Sequence, residues 1–213
     1  MSDKIQKINN LTKLEGFIQL NFVKGFKYVD KAGEFFNHFF VGDKFPKHAM
    51  DPTGMIVKID DKTDLKVSPY QLWMHFSDPA SFDLQKREFV KKAELANSIF
   101  EPEKYTRLGW RNHLVYESGS NYPSIVPQDY LVGSEFNEIV FTKKINDFEA
   151  RISVSKLIKT ENETKAILFD IDLFKKEDFG RENFSSHLNN LIDAIEDTYK
   201  SEELLAIINN LLK

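Results

Sequence analysis

The chain has 213 residues, with 29 Lys and Arg against 33 Asp and Glu, a formal charge of −4. That mild acidity excludes blanket binding of a phosphate backbone as the main task and leaves room only for a local basic face. The absence of Cys excludes a disulfide scaffold, cysteine-ligated zinc or iron–sulfur clusters and a thiol nucleophile. With 41% hydrophobic residues, 19 of all residues being Phe, the length suffices for one large domain or two small ones around a real core.

Taken in chain order, Met1 to Asn10 is polar and lacks the apolar core of a signal peptide. The longest apolar run, Leu204 to Ile208, is far short of a bilayer span, so a cytoplasmic location is expected. The Asn-x-Ser/Thr triplets at Asn10, Asn162 and Asn183 then read as chance matches. Leu14, Ile18, Leu20 and Phe22 share one parity of a strand, with Glu15, Gln19 and Asn21 on the other. A helix is expected from about Val29, its apolar side made by Ala32, Phe35, Phe36, Phe39 and Phe40, with Gly42 and Pro46 as stops. Burial between sheet and helix accounts for so many Phe side chains, the alternative being a partner surface. Strands are expected at Met55–Ile59 and Tyr70–Phe76, separated by the turn Asp60–Asp64, and a third short one at Phe82–Lys86. Phe89, Ala93, Ala96 and Phe100 follow helical spacing up to Pro102.

From Arg107 to Glu117 the pattern alternates again: Leu108, Trp110, Leu114 and Tyr116 on one parity, Arg107, Arg111 and His113 on the other. A loop at Ser118–Pro127 and a short helix near Gln128–Val132 lead to strands at Asn137–Ile145, Phe148–Ile158 and Ala166–Phe174. Asn146-Asp147 supplies a tight hairpin turn and Thr160–Thr164 a looser one, which predicts an antiparallel meander. Leu188, Leu191, Ile192, Ile195 and Tyr199 mark an amphipathic helix. Ser201 is the N-cap of a last one carrying Leu204, Leu205, Ile208 and Leu211. Both halves thus read strand, helix, three strands, helix, dividing at residues 1–105 and 106–213 of one compact body. The class is α+β, antiparallel sheets with helices packed on one face.

Five histidines, His38, His48, His75, His113 and His187, are scattered without a helical metal-binding pair. Asp170 and Asp172 share a strand face about 7 Å apart and are candidates for a shared Mg²⁺, with Glu149 and Lys156 available on the neighbouring strand. The plainer alternative is a solvated face or pairing with Arg151. The strongest cluster is Arg107, Arg111 and His113, with Trp110 beside them. Gly109 between the arginines leaves a bare strand centre where a ligand or a backbone can approach. Two guanidiniums flanking that gap suit a phosphate or carboxylate. A salt-bridge ladder from these arginines to Asp170 and Asp172 would instead explain both clusters as structure. No Gly-x-Ser-x-Gly and no phosphate-cradling glycine motif is present, so neither a serine nucleophile nor a nucleotide cofactor is expected.

The strand Arg107-Leu-Gly-Trp-Arg111, the later strand Ile167-Leu-Phe-Asp-Ile-Asp172 and the closing amphipathic helices resemble a sporadically distributed family of bacterial proteins of unknown function. The likeness covers roughly Phe82–Lys213. Such a patchy distribution implies spread with mobile elements and an accessory role in host conflict, and it supplies no catalytic residues. The first expectation is therefore a non-enzymatic accessory or immunity-type subunit docking a partner protein encoded nearby, with no cofactor. The alternative is a ligand- or nucleic-acid-binding domain using the Arg107/Arg111/His113 face, and after it a metal-dependent nuclease at Asp170 and Asp172.

Overall fold

The computed structural model describes residues 11–23, 27–39, 48–51, 53–77, 81–119, 138–159 and 164–212. Among them, strands and helices alternate as β1 (Leu11–Val23), α1 (Lys27–Asn37), β2 (His48–Asp51), β3 (Gly54–Lys58), β4 (Thr63–Val67) and β5 (Gln71–Phe76). These are followed by α2 (Phe82–Phe100), β6 (Lys104–Gly119), β7 (Glu138–Ile145), β8 (Phe148–Lys159), β9 (Thr164–Lys175), β10 (Phe179–Gly180), α3 (Phe184–Tyr199) and α4 (Glu202–Leu211). The α+β class with antiparallel strands is as expected. The chain forms two compact units, one of residues 1–14, 111–173 and 195–213, the other of residues 15–110 and 174–194. Neither is a contiguous stretch.

In the 15–110/174–194 unit the strands lie in the order β2-β3-β4-β5-β1-β6. Alternation buries Ile18, Leu20 and Phe22 of β1, Met55 and Val57 of β3, Leu65 and Val67 of β4, and Leu72, Met74 and Phe76 of β5. The helices add Tyr28, Phe35 and Phe36 from α1 and Phe89, Ala93 and Phe100 from α2 to the buried core. The rings of Phe35 and Phe100 meet at 5.0 Å. The Phe-rich helix is thus a core element; Phe40, Gly42 and Pro46 lie outside the described residues.

Several expectations need correction here. Phe82–Lys86 is the first turn of α2 and not a strand: the Ser81 side chain accepts from the Leu84 N–H, and Phe82, Gln85 and Phe89 continue the buried helical stripe. The helix ends at Glu101, whose φ of 45° precedes Pro102. Among the described residues four strands, not three, separate α1 from α2; β2 and β4 are too short and polar to stand out by alternation. Tyr70 sits in the turn before β5, 66% exposed, and Leu14 is exposed because the buried parity of β1 reverses at Glu15.

In the other unit the order is β6-β9-β8-β7. Ile145 pairs with Phe148 across the two-residue turn, where Asn146 takes φ 53°, and β7 runs antiparallel to β8. Ile152 and Val154 of β8, Ile167, Phe169 and Ile171 of β9, and Ile195 and Tyr199 of α3 are buried. Tyr199 donates its hydroxyl to the Ile171 carbonyl at 2.6 Å. Ser201 caps α4 as expected, accepting from the Leu204 N–H. The helix expected near Gln128–Val132, most of the loop before it and the turn at residues 160–163 lie outside the described residues. No helix among those described is long and apolar enough to cross a membrane.

Candidate functional site

The residues singled out by sequence separate into three environments. Arg111 and His113 of β6 meet Asp170 of β9. The Arg111 Nε donates to Asp170 Oδ1 at 2.6 Å and its Nη2 to Oδ2, a bidentate pair. His113 Nε2 lies 3.4 Å from Oδ1. Burial pushes the Asp170 carboxyl up, but hydrogen bonding by Arg111 and His113 outweighs it and holds the group well below the usual carboxylate range. The same bond, with Asp170 and Asp172 nearby, raises the Arg111 guanidinium. The arrangement is a neutralised rung between neighbouring strands, and Arg111 keeps 47% of its side-chain surface in solvent. Asp170 offers its oxygens to Arg111 and His113 of the protein itself, and no group of three metal-ligating side chains occurs among the described residues.

Arg107 does something different. Its guanidinium carbon lies 4.6 Å from the Phe174 ring centroid. To reach that ring it passes over Gly109, where an added Cβ would stand 2.9 Å from both terminal nitrogens. The bare strand centre is filled by the protein's own arginine and is no open gap for a ligand. Gly109→Ala is therefore expected to push the flexible end of Arg107 off Phe174 and cost about 0.5–1 kcal/mol. Arg107→Ala should cost a similar amount in urea unfolding, and the double variant should cost less than the sum.

Trp110 is fully buried, with its indole N–H donating to Gln85 Oε1 at 3.0 Å and its ring edge-to-face with Phe82 at 4.9 Å. It is a core anchor and is not presented at the surface with the arginines.

A surface cluster that the pattern reading passed over lies on the outward parity of the 15–110/174–194 unit. Cross-strand registers set two rows there: Ile56, Lys66, Trp73 and Gln19 in one, Lys58, Asp64, His75 and Phe17 in the next. Phe17 stacks on His75 at 4.5 Å, and Trp73 stands edge-on to Phe17 at 5.9 Å. Glu15 takes a 2.8 Å contact from His75 Nε2, and Asp64 lies 3.5 Å from Nδ1. Gln19 donates to Asn21 Oδ1 and to Gln71 Oε1. The available signal was Phe17 and Trp73 occurring on parities otherwise occupied by Glu, Gln and Asn. No family model matches this chain, and no curated protein does.

Proposed function

We propose that this chain is a non-enzymatic interaction subunit that docks a partner protein on the outer sheet face around Trp73. The observation that carries this reading is the half-buried Phe17–Trp73–His75 cluster, with Ile56 43% exposed at the end of the Trp73 row. Lys58, Lys66, Asp64, Gln19 and Gln71 form its polar surround. An aromatic centre within a polar rim is the anatomy of a protein–protein hot spot, and Trp carries the largest share of such energies. The arginine face supports the docking role less, because Arg111 is neutralised by Asp170 and Arg107 is laid on Phe174. The family resemblance adds a setting to this proposal: an accessory or immunity-type protein of a bacterial, mobile host-defence system, working in the cytoplasm with a partner encoded beside it.

The test is a tagged pull-down from the native host with flanking genes intact, repeated with Trp73→Ala. The expected result is one stoichiometric protein partner, with binding weakened at least about 30-fold in the variant and the fold retained by circular dichroism. Recovery of nucleic acid, or a partner indifferent to Trp73, removes this reading.

A further inference from the structure

β7 is the terminal strand of its sheet, and among the described residues no strand lies beyond it. A strand in that position carries a row of backbone donors and acceptors with no ladder partner. Which residues own them follows from the hairpin. In a two-residue hairpin the residues flanking the turn form a hydrogen-bonded pair, here Ile145 and Phe148. Every second residue repeats that state, so Ile145, Lys143, Phe141 and Ile139 turn their N–H and C=O toward β8. Glu138, Val140, Thr142 and Lys144 turn theirs outward, and the side chains of these four are all exposed.

We propose that the occupant of this edge is a second copy of the same chain, joined antiparallel β7 to β7 about a two-fold axis at Phe141. Charge selects both the partner and the register. With the axis at Phe141, Glu138 of each copy stands opposite Lys144 of the other, and Val140 stands opposite Thr142. All four outward-bonding residues then meet their like, as an antiparallel ladder requires. A slip of two residues in either direction separates Glu138 from Lys144. Lysines on an edge strand ordinarily guard it against such pairing. Here Lys143 is held by Glu203 of α4 at 2.8 Å, and Lys144 meets a carboxylate. Val140, 45% exposed on the same face, gains β-branched packing across the seam.

A single pair of eight-residue strands covers far less surface than a stable dimer needs, so the association is weak and concentration-dependent. Sedimentation equilibrium from micromolar to sub-millimolar protein tests it. Wild type is expected to shift from monomer to dimer across the range. Lys144→Glu places like charges opposite each other twice and is expected to weaken the dimer roughly tenfold. Glu138→Lys combined with Lys144→Glu restores it. Thr142→Pro deletes an outward N–H without touching the β8 ladder and is expected to abolish the dimer while leaving the fold, read by circular dichroism, unchanged. If Thr142→Pro does not fold, the charge exchange alone decides. A protein that stays monomeric throughout overturns the proposal and leaves the edge to a strand of another protein. A dimer indifferent to Lys144→Glu, or one the double exchange fails to restore, overturns it equally.

Discussion

Replacing Trp110 with alanine is expected to lower the unfolding free energy by about 3–5 kcal/mol. The ring is fully buried and fills the space between Phe82 and its own strand, so truncation leaves a cavity that the sheet backbone cannot close. Part of the loss is polar. The Gln85 side chain is itself fully buried and accepts the indole N–H, so deleting the donor removes a buried hydrogen bond. Trp110→Phe separates the two contributions: it retains most of the ring but loses the hydrogen bond to Gln85, for an expected loss of about 1–3 kcal/mol. Chemical unfolding of the two variants checks this. Equal losses would mean that the hydrogen bond carries the whole effect.

Asp170→Ala is the second large effect, expected at about 1–3 kcal/mol. The variant leaves the Arg111 guanidinium and His113 facing each other across the place of the lost carboxylate. The double variant Arg111→Met/Asp170→Leu should recover most of the loss, because the guanidinium and the carboxylate leave together and only the His113 contact to Asp170 is lost. The pH dependence has a definite sign. A carboxyl held below its unfolded value stabilises the native state fully above that unfolded value, about 3.9 for Asp. The contribution is then lost as pH falls through the lowered native value. The stability difference between wild type and Asp170→Ala is therefore flat from about pH 7 to 5 and shrinks below about pH 4. A difference that grew on acidification would show that Asp170 is not stabilised as an anion.

How much of this was legible in the sequence depends on whether one physical rule acted alone. Strands β8 and β9 and helices α3 and α4 were legible because burial alternates or recurs cleanly and Ser201 announces a cap. Phe82–Lys86 misled because five residues beginning with an aromatic fit strand and helix equally; the cap at Ser81 and the onward spacing to Phe89 decide between them. β4 was hidden by its polar neighbours, since only Leu65 and Val67 face inward. At the candidate site, parity placed Arg111 and Asp170 on facing strand surfaces, yet only the register of β6 against β9 determines that they touch. The space over Gly109 could not be assigned from spacing, because a long arginine can fold over a neighbour two residues away. Phe17 and Trp73 were visible individually as aromatics on polar parities. Their union needed the pairing of β1 with β5, which composition and periodicity do not encode.

The course of the chain through its two units bears on how the protein is made. The ribosome completes the stretch 15–110 long before it delivers residues 174–194, which belong to the same unit. The other unit waits still longer, because its members include residues near both chain ends. Neither can close during most of synthesis, so the growing polypeptide carries an unfinished sheet for over half of its length. Until β9 is made, β6 has no neighbour on its far side, so a cell translating this message carries β6 as an open edge for that interval.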